Sequence, residues 1–372
     1  MKQNNLKTLI GATALCATLG MQQVAQAVVT APVGYVKVTM NAEADSSFSI
    51  PMNRPKVYSG VSSSVIGNVI SVGNDDFTSD EFVYDIVNQN ERYYVIFTTG
   101  SLEGRRFDVV SNSNNSITVD PDHTSDDDSQ DLESLLSTSN DSFEVRPHWT
   151  LNTAFPDGGV LPASSSRFSP NGLILEYSST QTGTDLPPSA AYFYVTGSGW
   201  RESFSGNEAF DDTILRNDLS YVFRNTEEEV DVNFIGDVPT VDQSITLNEK
   251  IVANDNYVGF QYPIDLSLQD LALGGSANFN SSSSRFSPDG DLLIVRATGQ
   301  GLNTPAESAY FYVEGSDGGT WFDSLTLGLP AIITADVIEA GRGYIIRTND
   351  PTAAEDDVLI HRVTLPYNPF SE

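Results

Sequence analysis

The chain carries nearly the same nine residues twice. "SSSRFSPNG" begins at Ser164 and "SSSRFSPDG" begins at Ser282, 118 positions later. Ser-Pro-Asn/Asp-Gly is typical of a type I turn, because Pro fixes φ and Asn, Asp and Gly suit the positions after it. "AYFYV" at Ala191 and Ala309 keeps the same offset. The stretch therefore predicts a turn into a strand, used at two equivalent places in the fold.

Further matches extend the similarity beyond the turns. Trp200 matches Trp321 at an offset of 121, and Arg224 matches Arg347 at 123. The offset changes in Gly-, Ser- and Asp-rich connections, where insertions are tolerated. The pattern predicts two tandem copies of a related β domain. The predicted boundaries are 149–239 for the first copy, 240–263 for a connection and 264–372 for the second copy with its C-terminal strand.

The remaining sequence also alternates in twos. Segments such as "YVKVTM" at Tyr35, "YYVIFTTG" at Tyr93 and "SITVD" at Ser116 are rich in β-branched and aromatic residues and are bounded by turn-forming residues. Such short strands are typical of sandwiches and barrels. We expect an all-β fold of sandwich or barrel modules, with residues 28–148 as an N-terminal β module. "FSPDG" also resembles the strand-entry turn of β-propellers, but propeller blades repeat every ~40–50 residues.

The first 27 residues have the features of a secretory signal peptide. Two lysines precede an apolar run, and the small-residue motif Ala25-Gln26-Ala27 follows it. The run is short for a membrane span. We expect cleavage between Ala27 and Val28 and export to the periplasm, the cell surface or the extracellular space. Cleavage would remove Cys16, the only cysteine, and with it any disulfide or thiol chemistry.

The composition is strongly acidic. The chain has 50 acidic and 19 basic residues, a formal net charge of −31. Such a surface repels phosphate backbones and anionic lipids, which argues against nucleic acids and membrane surfaces as partners. No later segment reaches the apolar length of a transmembrane helix, so we expect no span in the mature chain. The charge suits cations or neutral ligands, and solubility alone is the plainer explanation.

One acidic cluster, "DPDHTSDDDSQD", is a candidate calcium site. Asp120, Asp122, Asp126 and Asp128 supply the carboxylate oxygens that Ca²⁺ prefers. The spacing does not match an EF-hand loop, which has Gly at its sixth position and Glu at its twelfth. A solvated acidic loop is the preferred interpretation, and Ca²⁺ is the one cofactor that the sequence suggests.

Motifs of known catalytic sites are missing from the sequence. It contains neither G-x-S-x-G nor H-E-x-x-H, and no Walker or dinucleotide-binding loop. His123, His148 and His361 are widely separated, which argues against a three-histidine zinc site. Glycoside hydrolysis needs two neighbouring carboxylates, and the sequence singles out no pair.

Two tryptophans mark the best candidate for a binding site. Trp200, with Arg201 beside it, and Trp321 each follow a Gly-rich connection after the shared strand. An exposed tryptophan beside polar groups suits a glycan, whereas a buried one would close the end of a sandwich or barrel. Binding therefore predicts exposed rings, and packing predicts buried rings.

Several longer segments together suggest a family. The N-terminal signal, "YYVIFTTGSLEGRRFDVV", "DSFEVRPHWTL", "AYFYVTGSGWR" and "GRGYIIR" resemble an uncharacterised family of exported, β-rich proteins from verrucomicrobial-type bacteria, and the resemblance covers most of the mature chain. It implies export and β structure but no catalytic residues, since no activity is established for that family. The second copy has "EGSDGGTWFDS" where the first has "TGSGWRES", which weakens a shared role for Arg201.

The function expected from the sequence is binding or construction rather than catalysis. The signal, the duplication and the missing catalytic motifs favour an exported, non-enzymatic structural or binding protein of the cell surface or extracellular space. Its expected partners are glycans or other envelope proteins. Carbohydrate binding is the first alternative, and a glycoside-acting enzyme is a distant one.

Overall fold

The computed structural model describes residues 31–85, 87, 89–120, 140–178, 181–203, 210–248, 253–299, 301–315, 319–326, 329–330, 337–349 and 358–369. Strands dominate these residues, and the expected all-β fold is confirmed. The one α-helix among them, Leu151–Ala154, begins after Thr150, whose hydroxyl accepts a hydrogen bond from the Thr153 N–H. No helix in this described part of the chain is long and apolar enough to cross a bilayer.

The strands are numbered in chain order. They are β1 (Val33–Met40), β2 (Asp45–Phe48), β3 (Tyr58–Val61), β4 (Ser64–Ile66), β5 (Val69–Ser71), β6 (Tyr93–Phe97), β7 (Arg106–Asn112), β8 (Ser116–Asp120), β9 (Ser142–Pro147), β10 (Trp149–Thr150), β11 (Gly172–Glu176), β12 (Ala190–Val195), β13 (Gly199–Glu202), β14 (Ile214–Leu215), β15 (Tyr221–Asn225), β16 (Val230–Asp237), β17 (Gln243–Asn248), β18 (Asn254–Gly259), β19 (Leu292–Arg296), β20 (Ala306–Val313), β21 (Thr320–Asp323), β22 (Leu329–Pro330), β23 (Gly343–Thr348) and β24 (Val358–Val363).

Two antiparallel sheets share one strand order. Sheet 1 runs β13-β12-β11-β15-β2, and sheet 2 runs β21-β20-β19-β23-β18, with β22 added beyond β21. Two-stranded ribbons accompany them, β1 with β16 (ribbon 1) and β17 with β24 (ribbon 2). The module sheet, β3-β9-β6-β7-β8-β5-β4, is formed by residues between β2 and β10. Its alternating apolar residues, such as Val95, Phe107 and Phe143, are buried in a core of their own.

Strand pairing groups the chain differently from the boundaries expected from sequence. Strands β1 and β2, within 28–148, pair with β16 and β15. Strands β17 and β18, within 240–263, pair with β24 and β23. The partners in ribbon 1, such as Val36 and Phe234, lie almost 200 residues apart. Because local periodicity carries no information on so distant a partner, the sequence pattern could not assign these strands.

The strand after the repeated turn contains a one-residue shift. Ile174 pairs with Tyr192 and Leu293 pairs with Tyr310, so β11 and β19 correspond at an offset of 119 rather than 118. The extra residue is Asp291, directly after the second turn. Its buried carboxylate accepts hydrogen bonds from two backbone N–H groups, those of Asn280 and Asn349. These bonds satisfy the added polar group, so the strand accommodates it.

The two sheets pack against each other through a shared apolar layer. Buried side chains from both sheets form it: Leu175, Tyr177, Ala191, Val222, Tyr257, Ile294, Ala309 and Ile345. The opposite face of each sheet contributes to a separate core, which also contains residues of ribbon 1 or ribbon 2, such as Phe234 and Val363. Both faces of each sheet are therefore covered, which explains why "AYFYV" has apolar residues at consecutive positions.

A matching ion pair lies in each sheet. Arg224 of β15 forms a two-bond contact with Asp45 of β2, with both N···O distances at 2.9 Å. Arg347 of β23 contacts Asp255 of β18 in the same way, at 2.6 and 2.9 Å. Both carboxylates are buried. A two-bond guanidinium–carboxylate contact fixes the relative position of its two strands more strictly than a single hydrogen bond.

Each ion pair also binds a loop of the opposite sheet. The N–H of Asn303, which lies between β19 and β20, donates to Asp45 at 2.8 Å. The N–H of Asp185, which lies between β11 and β12, donates to Asp255 at 2.7 Å. Asp185 and Asn303 both have positive φ, 54° and 55°, which Asp and Asn tolerate better than most residues. The two sheets are therefore joined by reciprocal polar contacts as well as by the apolar layer.

Candidate binding site

Both tryptophans expected from sequence as binding residues are buried. Trp200 is 1% exposed and lies against Phe155 and Tyr194, while Trp321 is 3% exposed. The ring of Trp321 lies 5.4 Å from that of Tyr312, which corresponds to Tyr194. Buried rings offer no face for a sugar to stack on, so the packing interpretation fits both positions. The Arg201 guanidinium, beside the first ring, donates to the Ser198 carbonyl at 2.5 Å.

The proposed calcium residues lie mostly outside the described part of the chain. Asp120 is at the end of β8, opposite Asp108 on β7. Asp122, Asp126 and Asp128 fall outside the described residues, as do Ala27 and Val28 at the expected cleavage site. Among the described residues, no group of three or more His, Cys, Asp or Glu side chains is placed to hold a metal ion. The calcium site therefore stays a prediction.

The two described histidines have separate structural partners. His148 Nε2 lies 2.8 Å from Asp108 Oδ1, and the ring packs against Tyr94. His361 Nε2 donates to the Leu271 carbonyl at 2.9 Å, and burial lowers the pKa of the imidazole. His123 lies outside the described residues. Each described imidazole is thus engaged in local packing.

The repeated nine residues form two exposed loop tips. We call Ser164–Gly172 tip 1 and Ser282–Gly290 tip 2. At their ends Phe168 is 81% exposed and Phe286 is 74% exposed. The guanidinium carbon of Arg167 lies 4.6 Å from the ring centre of Phe168, and that of Arg285 lies 4.4 Å from Phe286. Each tip therefore presents a cation stacked on an aromatic ring that the protein core does not bury.

The two tips are anchored in the same way. Ser164 N–H donates to the Tyr194 carbonyl, and Ser282 N–H donates to the Tyr312 carbonyl, both at 2.8 Å. Within each tip the phenylalanine N–H donates to the serine hydroxyl two residues earlier, at 3.2 Å in tip 1 and 3.4 Å in tip 2. Each tip is thus fixed to the shared strand of its sheet and holds its Arg-Phe pair on an ordered loop.

The one difference between the tips has a structural explanation. The Asn171 amide in tip 1 donates to the Ala163 carbonyl, whereas the Asp289 carboxylate in tip 2 accepts from the Ser283 N–H and hydroxyl, at 2.7 and 2.6 Å. Those hydrogen bonds lower the pKa of Asp289. Each side chain therefore stabilises its own turn, and the pair shares no reactive group.

Turn geometry explains the repeated Ser, Pro and Gly residues but not Arg and Phe. An exposed phenylalanine contributes nothing to a core, and an arginine stacked on it at the surface adds about 0.5–1 kcal/mol at most. Sequence reasoning assigned the whole motif to a bend and missed this exposed pair. A usable signal was present, because Arg and Phe are identical in both copies although a turn does not require them.

The residues at the tips suit contact with another molecule. Arginine and aromatic residues are enriched in protein interfaces, where a ring supplies apolar area and a guanidinium supplies directed hydrogen bonds. Tip 1 carries the positive charge of Arg167, whereas in tip 2 the charge of Arg285 is accompanied by that of the Asp289 carboxylate. The fold and the tips define a class only, an all-β protein with two equivalent exposed loops. No family model, curated protein or solved structure matches the chain.

Proposed function

We propose that this chain is an exported, non-enzymatic protein that binds an envelope or extracellular component through its two tips. The observation that carries the proposal is the pair of exposed Arg-Phe side chains, Arg167–Phe168 and Arg285–Phe286, on loops of matching conformation. Burying one phenylalanine on a partner is worth about 1.5–3 kcal/mol before the costs of association. One tip alone would bind weakly.

Two tips on one chain make the contact stronger. When a partner offers repeated sites, the second tip binds at a high effective concentration once the first has bound. A cell-surface glycan or an assembled envelope protein is such a repeating partner. Anionic groups on it would face the tip arginines, and its apolar or sugar-ring faces would lie on the phenylalanines.

A glycan is the second, narrower candidate. The buried positions of Trp200 and Trp321 remove the surface first expected to stack on sugars. The exposed rings of Phe168 and Phe286 supply such a surface elsewhere, next to hydrogen-bond donors. Glycan binding is therefore a special case of the same proposal, with the tips in place of the tryptophans.

Cosedimentation with a purified envelope fraction tests the proposal. We expect wild-type protein to sediment with the fraction and the double variant Phe168→Ser/Phe286→Ser to stay in the supernatant. Each single variant should bind more weakly than wild type and more strongly than the double variant, because one tip remains. Ile66→Ser is a matched control, since Ile66 is 69% exposed and lies on the module sheet.

Two outcomes would contradict the proposal. Equal sedimentation of wild type and double variant would show that the tips are not the contact. Purely soluble, monomeric protein in the medium, with no envelope association, would remove the cell-surface role altogether. Mass spectrometry of the secreted chain tests export separately, and we expect a mature chain that begins at Val28.

A further inference from the structure

A cleft with three arginines lies between the two sheets. Its volume is about 500 Å³, and its lining comes from both sheets and from the two loops that exchange contacts between them. This volume is within the range of about 300–1,000 Å³ that small-molecule sites occupy. Arg224, Arg296 and Arg347 line it together with apolar side chains such as Leu186 and Ile294. We propose that the cleft binds a small organic monocarboxylate.

Two of the three arginines already have carboxylate partners. Arg224 is paired with buried Asp45 and Arg347 with buried Asp255, so their charges are compensated and their guanidinium planes are fixed. Asp185, 89% exposed, adds a second carboxylate at 3.4 Å from Arg347. These two guanidinium groups therefore line the cleft in fixed orientations. Because each is already paired with a carboxylate, together they attract an anionic ligand only weakly.

Arg296 is held by aromatic rings instead. Tyr177 and Tyr257 stack with ring centres 3.9 Å apart, and the guanidinium carbon of Arg296 lies 5.6 Å from each ring centre. Its Nη2 lies 3.2 Å from the Tyr257 hydroxyl. Among the carboxylates that the structure describes, none lies within 4 Å of this guanidinium. Its positive charge is thus the one in the cleft that a described carboxylate does not compensate.

This charge occurs where the two sheets differ. Leu175 in β11 and Ile294 in β19 occupy matching positions. Two residues after each of them, sheet 1 has Tyr177 and sheet 2 has Arg296. The surrounding ion pairs and loops match between the sheets, whereas this position does not. The cleft therefore has one charged side, which suits a ligand with a single anionic group at one end.

The lining selects for a carboxylate rather than a more highly charged anion. A guanidinium binds a carboxylate with two parallel hydrogen bonds. One uncompensated charge in a strongly acidic chain matches a monoanion better than a phosphate dianion. Leu186, Ile294 and Ile345 supply apolar surface for the body of the ligand. Burial raises the pKa of Tyr177, so its hydroxyl stays neutral at physiological pH.

Calorimetric titration of the purified protein with benzoate and D-glucuronate tests the proposal. We expect at least one of them to bind with a Kd of about 1 mM or lower. Benzyl alcohol and D-glucose, which lack the carboxylate, should bind at least about tenfold more weakly. Arg296→Met should weaken carboxylate binding by about 10–100-fold. Lys37→Met, which removes an exposed positive charge from ribbon 1, should leave it unchanged.

A second variant guards against misfolding of the first. Leu186→Trp adds volume at the partly exposed edge of the cleft and keeps Arg296, so it should also weaken carboxylate binding. The proposal is overturned if neither carboxylate binds wild type at about 10 mM. It is equally overturned if the uncharged analogues bind as well as the carboxylates, or if both variants bind like wild type. Because neither cleft variant touches the tips, envelope cosedimentation should persist in both.

Discussion

Sheets 1 and 2 have the same strand order and the same ion pair, yet they differ in what separates their strands. In sheet 2, β19 is the next strand along the chain after β18. In sheet 1, the chain forms the whole module sheet after β2, before it reaches β10 and β11. The features that match are buried residues, the reciprocal loops and the exposed tips. Burial and turn geometry explain the first two. Only the exposed Arg and Phe of the tips match without a structural need.

The largest expected effect concerns the two tryptophans. Trp200→Ala and Trp321→Ala each leave a large cavity in a core, and each should lower the free energy of unfolding by about 3–5 kcal/mol. Urea denaturation followed by circular dichroism measures this loss. A loss of less than about 1 kcal/mol in either variant would contradict the matching packing of the two rings.

The ion pairs should contribute equally in the two sheets. Arg224→Met and Arg347→Met each leave a buried aspartate without its counter-ion, at a cost of about 3 kcal/mol. The same denaturation series measures both losses. Two losses that differed by more than about 2 kcal/mol would show that the reciprocal contacts are not equivalent.

Ribbon 2 contains one buried histidine, and this residue should make its stability depend on pH. His361 pairs with Ile245 in ribbon 2 at the place where Val232 pairs with Val38 in ribbon 1. Because burial lowers the pKa of His361, the folded state resists protonation and loses stability as pH falls below the ordinary value of 6.5.

The variant His361→Val copies ribbon 1 and tests this pH dependence. As pH falls from 7 to 5.5, wild type should lose more stability than the variant, which has no imidazole to protonate. Thermal unfolding at several pH values measures the difference. Parallel pH profiles of wild type and variant would contradict the prediction.

The tips should affect stability least. Phe168→Ser and Phe286→Ser remove side chains that lie outside the cores, so each should change the free energy of unfolding by no more than about 0.5 kcal/mol. Each single variant is expected to weaken envelope binding, and the double variant to lose it. A larger loss of stability would mean that the phenylalanines have a packing role, which would weaken the assignment of the tips as contact loops.

The sequence predicted what depends on local pattern. Alternation identified the β class, and the repeated nine residues marked two equivalent turns. Arg224 and Arg347 were matched by sequence offset, but their partners Asp45 and Asp255 were not, since each comes from an earlier strand whose spacing differs between the sheets. The sequence could not predict the cleft either, because Tyr177 and Arg296 come together only when the two sheets pack.

The distant pairing in ribbon 1 has a consequence for synthesis. Met40 of β1 pairs with Val230 of β16, so about 190 residues must be added before the first strand can meet its partner. At ribosomal rates of about 5–20 residues per second this takes about 10–40 s. During that interval β1 presents unpaired backbone groups to any other strand nearby. Among the described strands β1 therefore waits longest for its partner, and a chaperone that occupies it would act before ribbon 1 exists.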